Sequence, residues 1–375
     1  MNQPLRILLM GDYSNCHRTL ATGLRSLGHD VTVVSDGSKW QNTARDIDIA
    51  RHGKSRAAGL ELMLRLRYGI MPRLKNFDIV AIHNPGFLNL RPVRTKYFFD
   101  RLKGENRSIF LTAMGTDSAY LDLCSAADSP LRYTEWFIDG HPSPLYLNNP
   151  AKWRDWHNDE IRSFHEYVYD NIDGAVSILY EYHLAITRAL GPDKCAFGGL
   201  PIDLSGIQPV DLDPDPEVVK LYLGRHRERC IEKGTDVLEA AARDVIARHE
   251  GRVTLSIIEN LPYDRYIKTI CGHHISLDQL YSYSPATNAL LAMAYGLNAV
   301  SGAEPEFYNF IGEPAGDPVI NAPVDYDRLV ETLDAIVSDP RAIAPRGRRS
   351  RQFVERHHDC RHVAQRFLDF WTSKL

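Results

Sequence analysis

Two cations, two glycines and the start of a helix offer the chemistry to hold a diphosphate. Gly224-Arg225 and Lys233-Gly234 bound a loop between an apolar run, Val218 to Leu223, and a helical pattern, Asp236 to His249. Thr287 and Asn288 stand where the small apolar helix Ala289 to Tyr295 should begin, after the run Ile275 to Leu277 and the polar loop Tyr283-Ser284-Pro285. Glycine lets a ligand approach the backbone. Arg225 and Lys233 bring fixed positive charge, and a helix start presents free N–H groups with partial positive charge. Such a set can neutralise two phosphates without a metal ion. The same residues would also serve a solvated charged loop and an ordinary packed βαβ unit.

A second group of polar residues follows apolar runs in the first half. Asp12, Asn15 and His17 come after Leu5 to Met10, His83 and Asn84 end the run that starts at Phe77, and Thr116 and Asp117 follow Ser108 to Ala113. Acids and imidazoles at strand ends suit the orientation of a reacting hydroxyl, so Asp12, His83 and Asp117 are catalytic candidates. Asn15, His17 and Asn84 are candidates for holding an acceptor. Asp12 and Asn15 could equally satisfy turn N–H groups, and His83 could be structural. Glu304 and Glu306 are carboxylates available for proton transfer. His358 and His362 are spaced for one helix face beside His357 and Cys360, but no second cluster completes a site, so no metal and no cofactor is expected.

The elements that must position these groups alternate. Leu5 to Met10, His17 to Leu27 and Val31 to Val34 read as strand, helix and strand, a right-handed parallel βαβ unit. In such sheets ligands sit beyond the carboxyl ends of the strands. The dinucleotide pattern GxGxxG is absent. The Pro- and Asp-rich stretch 206–217, GIQPVDLDPDPE, is the best boundary. It separates domain 1–205 from domain 218–350, with a helix over 351–375. A second alternating pattern fills 218–350. Residues 124–165 are loop-rich and aromatic, suited either to line a carbohydrate site or to form an inserted subdomain. Lys54 to Lys75 mixes leucines and methionines with Arg56, Arg65, Arg67 and Arg73, which suits either a basic helix lying on an anionic membrane or a solvated outer helix face.

A chain of 375 residues exceeds one ordinary core, so two domains are expected. Hydrophobic content of 44% and charged content of 25% describe a globular protein, and a net charge of −4 gives no general reason to bind nucleic acid. No signal peptide or membrane-spanning run is evident. Six cysteines with no close pair fit reduced thiols in a cytoplasmic protein.

With these residues in view, YLGRHRERCIEKGTDVLEAA resembles the donor-domain signature of the retaining GT-B glycosyltransferases. DQLYSYSPATNALLAMAYGLNAVSG is similar to their later signature, and MGDYSN with LRSLGHDVTVVS to their opening. The resemblance implies an α/β fold of two Rossmann-like, doubly wound domains facing a cleft, with a C-terminal helix returning to the N-terminal domain. It implies an acceptor-binding first domain and a donor-binding second one, in which Gly224, Arg225, Lys233, Gly234, Asp278, Gln279, Tyr283, Ser284, Thr287 and Asn288 hold a nucleotide-sugar. The implied reaction is metal-independent sugar transfer with retention, to a saccharide or lipid-linked acceptor, in bacterial surface-polysaccharide assembly. The family usually carries two glutamates in the later signature; here Tyr283 and Leu291 fall at those positions. That departure leaves open a sugar-nucleotide epimerase or hydrolase on the same fold, or a non-catalytic nucleotide-sugar-binding subunit.

Overall fold

The computed structural model describes residues 3–37, 43–259 and 261–375. It divides into two units. The first gathers the chain up to Leu123 with Ala151–Asp203 and Cys360–Leu375, and the second gathers Cys124–Pro150 and Leu204–Asp359.

In the first unit the strands are β1 (Arg6–Met10), β2 (Asp30–Ser35), β3 (Ile47–Asp48), β4 (Ile79–Ile82) and β5 (Ser108–Ala113). A short hairpin of β6 (Phe137–Ile138) and β7 (His141–Pro142) belongs to the second unit. β8 (Gly174–Ser177) and β9 (Cys195–Phe197) then complete the first sheet. Its order is β3-β2-β1-β4-β5-β8-β9, parallel throughout, with Ile7 opposite both Val31 and Ile79. Ile7, Leu8, Leu9 and Met10 are all fully buried. A parallel strand covered on both faces has no polar side, which is why this run is apolar without alternation. Each such aliphatic side chain contributes roughly 1.5–3 kcal/mol by leaving water.

The helix Cys16–Ser26 packs against the helix Cys360–Thr372 within this unit. The two helices come close at Gly23, where a Cβ would come within 2.1 Å of the Cys360 carbonyl oxygen. The later helix lays Trp371 near Phe110, ring centres 6.0 Å apart, and Phe367 over Gly198. The expected continuous helix over 351–375 is two helices, Ile343–His357 and Cys360–Thr372. They part because His358 leaves helical geometry and the Cys360 N–H bonds the Ile202 carbonyl, 2.9 Å away, instead of the preceding turn.

The second sheet contains β10 (Val219–Gly224), β11 (Val253–Ile258), β12 (Ile275–Leu277), β13 (Asn298–Ser301) and β14 (Ile320–Asn321). The order is β11-β10-β12-β13-β14, again parallel, with Leu221 opposite Ile275 and Ile275 opposite Asn298. Leu221, Leu223, Leu238, Val245, Ile275 and Leu333 form the centre of its core. The strand order reverses between β10 and β12, so the crevice beyond Gly224 and Leu277 is where a ligand belongs in this architecture.

The segment Cys124–Pro150 groups with the second unit rather than the first, because its side chains find their partners at Tyr283, Glu304 and Glu306. The basic stretch over 54–75 is not one helix. It runs as a helix, Arg56–Leu64, a wider π-helical turn, Arg65–Ile70, and a tight turn, Met71–Arg73. Leu62, Leu66, Ile70 and Met71 face inward, while Leu60, Leu64 and Tyr68 stay exposed.

Candidate functional site

The carboxyl edge of the second sheet carries the cations. Beyond Gly224 the Arg225 N–H bonds the Ile258 carbonyl at 2.9 Å, which keeps the chain beside the end of β11. The Arg225 guanidinium lies between two carboxylates, Glu259 on one side and Glu239 at 2.6 Å on the other. Arg227 also reaches Glu259, at 2.9 Å. The Arg225 charge holds the Glu259 carboxyl below the usual carboxylate range. Lys233 ends a short helix, Cys230–Lys233, and its Nζ lies 3.3 Å from Asp278 Oδ1. Gly234 follows with a left-handed φ of 66°, and a Cβ there would stand 2.7 Å from the Leu280 Cβ. That turn is fixed by the Leu280 N–H donating to the Lys233 carbonyl at 2.8 Å. The loop after β10 is thereby tied to the loop after β12.

In that later loop Asp278 is buried, its Oδ2 accepting from Ser301 Oγ at 3.1 Å. Gln279 donates to Ser282 Oγ at 2.8 Å. Tyr283 and Ser284 are buried, and burial raises the Tyr283 phenol to about 12. Thr287 and Asn288 form the first turn of the helix Thr287–Ala294, anchored by the fully buried Ala289, Leu290 and Met293. Its N-cap residue is Ala286, which makes no side-chain cap, so the first N–H groups are open to an anion. All ten residues expected for this site therefore stand at or beyond the carboxyl ends of β10 and β12. The two cations are bound to different carboxylates: Arg225 turns towards β11 and Lys233 towards β12. A guanidinium or ammonium held in this way can exchange a carboxylate for a phosphate oxygen, because both acceptors suit the same donors.

Sequence reasoning named Glu304 and Glu306 but missed the residues that meet them at this edge. The backbone N–H of Arg132 donates to the Tyr283 hydroxyl at 2.6 Å. The Arg132 guanidinium bonds Glu304, and Glu306 at 2.5 Å. The Tyr133 hydroxyl donates to Glu304 Oε1 at 2.6 Å, where Asn321 Nδ2 also donates at 2.7 Å. The rings of Tyr133 and Tyr283 lie 4.9 Å apart. Glu304 and Glu306 are consequently engaged by donors and are not free bases. The only sequence signal here was the aromatic character of residues 124–165. Nothing in the order of residues joins position 132 to 304.

In the first unit the expected residues gather beyond β1, β4 and β5. Asp12 is buried, its Oδ1 accepts from the His17 N–H at 2.9 Å, and burial raises its carboxyl to about 7. His17 is fully buried. Its Nδ1 faces the Gly11 carbonyl at 2.7 Å and must carry the proton, which leaves Nε2 to accept from the Thr112 hydroxyl at 2.9 Å. Both ring nitrogens are engaged and burial lowers the imidazole to about 4, so His17 ties the end of β1 to β5 and is not placed to hold an acceptor. His83 packs against Gly11, where a Cβ would overlap the ring at 1.8 Å, and places Nδ1 3.2 Å from the Met10 carbonyl. Burial, with His17 nearby, lowers it to about 3. Asn84 closes its own turn, donating to the Thr116 carbonyl at 3.1 Å and accepting from the Gly86 N–H at 2.9 Å. Asn15 is exposed, with a left-handed φ of 64° at the start of its helix. Asp117 accepts from the Tyr120 N–H at 2.9 Å, and burial raises it to about 6. Asp12 and Asp117 are thus two buried carboxyls at this edge, each raised towards neutrality by removal from water. Of the histidines near the chain end, His357 lies 2.6 Å from Glu313, which also binds Arg356.

No family model matches the sequence, and no curated protein matches it. Solved structures do match. Sucrose-phosphate synthase from Thermosynechococcus elongatus superposes with a TM-score of 0.61 at 14% identity, covering 99% of both chains. The Anabaena protein HepE, in complex with UDP-glucose, gives 0.59 at 12% identity over 98% of this chain and 100% of its own. The lipopolysaccharide outer core galactosyltransferase WaaB gives 0.58 at 14% identity over 99% of this chain and 100% of its own. The chain has the two-unit, parallel α/β GT-B fold of these glycosyltransferase structures.

Proposed function

We propose that this protein transfers a glycosyl group from a nucleotide-sugar to an acceptor held by the first unit. The observation that carries the reading is the grouping of Arg225, Lys233, the Gly234 turn and an uncapped helix start at one strand-order reversal. Its fold-level support is the likeness to the galactosyltransferase WaaB and to HepE in complex with UDP-glucose. In the reaction the bond from the anomeric carbon to the diphosphate breaks, a bond from that carbon to the acceptor oxygen forms, the acceptor hydroxyl's proton passes to the departing diphosphate, and charge grows on the leaving group as it departs. Arg225, Lys233 and the amides at Thr287 and Asn288 would stabilise that charge, which supports a reaction without a metal ion. Asp12 and Asp117 are the carboxyls suited to orient the acceptor hydroxyl. Retention of anomeric configuration follows from the sequence resemblance alone. So do a hexose donor, a saccharide or lipid-linked acceptor and a place in bacterial surface-polysaccharide assembly. A cytoplasmic protein touching the inner membrane face through residues 54–75 would fit a lipid-linked acceptor.

The test is thermal unfolding with UDP, GDP and ADP. A nucleotide at a hundred times its dissociation constant adds about 2.7 kcal/mol. One nucleotide is expected to raise the midpoint, and Lys233→Ala and Arg225→Ala to abolish the rise. Equal stability with all three and without any defeats the reading.

A further inference from the structure

We propose that Arg132 and Tyr133, carried on the inserted segment Cys124–Pro150, select the glycosyl group of the donor. The inference rests on the nucleotide-sugar reading above. The segment touches both sides of the second sheet's carboxyl edge. Its helix Pro144–Asn148 packs against Cys230–Lys233, the turn that carries Lys233. Arg132 and Tyr133 sit on Tyr283 and Glu304, which follow β12 and β13. The segment therefore spans the place where a ligand of a parallel sheet lies.

The chemistry it brings there matches a polyol. Each sugar hydroxyl both donates and accepts, so its recognition needs fixed acceptors beside fixed donors. Glu304 is 7% exposed and held by Arg132, Tyr133 and Asn321. Arg132 uses its two terminal nitrogens on Glu304 and Glu306, yet its side chain is 51% exposed. A guanidinium has five N–H donors, so two carboxylate contacts leave donors for a ligand. Glu306 Oε2 is buried and has no donor among the described residues. An acceptor left unmet beside a half-exposed cation is unfavourable until a donor reaches it. A fixed acidic pair and a half-exposed guanidinium, backed by the buried and mutually tilted rings of Tyr133 and Tyr283, discriminate between hydroxyl arrangements. They have no comparable means of telling one diphosphate from another.

The experiment is calorimetric binding of UDP, GDP and ADP, and of UDP-glucose, GDP-mannose and ADP-glucose, to the full chain, to Arg132→Gln and to Tyr133→Phe. For the base that binds, Arg132→Gln should weaken the nucleotide-sugar about tenfold or more and leave the nucleoside diphosphate within about twofold. Tyr133→Phe, which removes one hydroxyl and keeps the ring, should shift the same ratio in the same direction and serves where Arg132→Gln does not fold. Amide exchange over residues 124–150 should slow with the nucleotide-sugar more than with the diphosphate. An unchanged preference for the nucleotide-sugar in the folded variants overturns this proposal and leaves the transferase reading standing. A wild-type chain that binds none of the six overturns both.

Discussion

Asp12 and His17 stand five positions apart at the end of one strand, and burial moves their protonation in opposite senses. Asp12 is raised to about 7 by removal from water. A group raised in the folded state adds stability below its unfolded value and loses it as pH rises through the folded one. Replacing Asp12 by Asn removes that loss. Chemical denaturation should show the Asp12→Asn variant gaining on the wild type between about pH 4 and 7; a constant difference across the window would contradict this burial. His17 and His83, lowered to about 4 and 3, work the other way. Their contribution is complete above about 6.5 and declines as pH falls towards 4. The sequence places these residues at strand ends and identifies their types. It does not tell a ligand-binding histidine from a structural one, because that depends on Gly11, Thr112 and Met10 as partners. The Gly11 bond is local, but Thr112 lies on another strand.

Strands and helices were the more legible scale. A parallel strand buried on both faces must be apolar throughout, so Ile7–Met10 and Leu221–Leu223 stand out in the sequence without any partner being known. The helix expected over 351–375 was less legible, since the break at His358 arises from a bond to distant Ile202. Seams between elements make a sharper test. Within a helix, Gly to Ala ordinarily gains about 0.5–1 kcal/mol. Gly104, in the helix Pro92–Glu105, has nothing within 4 Å of an added Cβ, so Gly104→Ala should stabilise by about that amount. Gly23 faces the Cys360 carbonyl at 2.1 Å from such a Cβ. The same substitution there should destabilise, by about 1–3 kcal/mol, despite the better helix former. Urea unfolding of the two variants reads both signs, and a stabilised Gly23→Ala would contradict the close seam.

For the molecule as a whole, the two-unit fold was readable and the ownership of residues was not. The Pro- and Asp-rich stretch 206–217 marks a boundary by composition, but the transfer of 124–150 to the second unit is set by pairs such as Arg132 with Glu304, separated by most of the second sheet in sequence. Surface character tests the membrane contact. Leu60, Leu64 and Tyr68 are 47%, 44% and 69% exposed, and Arg56, Arg67, Arg73 and Lys75 are exposed on the same stretch. No helix among the described residues is long and apolar enough to cross a membrane. An interfacial contact of this kind combines apolar burial with attraction to anionic headgroups. The protein should sediment with phosphatidylglycerol-containing vesicles, less with pure phosphatidylcholine, and less after Leu64→Glu. Indifference to lipid charge and to the substitution would remove residues 54–75 as the contact.

The seat of the helix Cys360–Thr372 in the first unit also bears on the order in which the chain can finish folding during synthesis. The surfaces at Phe110 and Gly198 that receive Trp371 and Phe367 leave the ribosome well before those side chains exist. Until the second unit has been translated, the apolar patch at Phe110 and Gly198 lacks the side chains that cover it. The second unit in turn draws Arg132 and Tyr133 from an earlier stretch of the message. Neither unit is a cassette that can be expressed by cutting at 206–217. A nascent chain stalled before Cys360 presents a sticky, incomplete first unit, the kind of surface that chaperones bind.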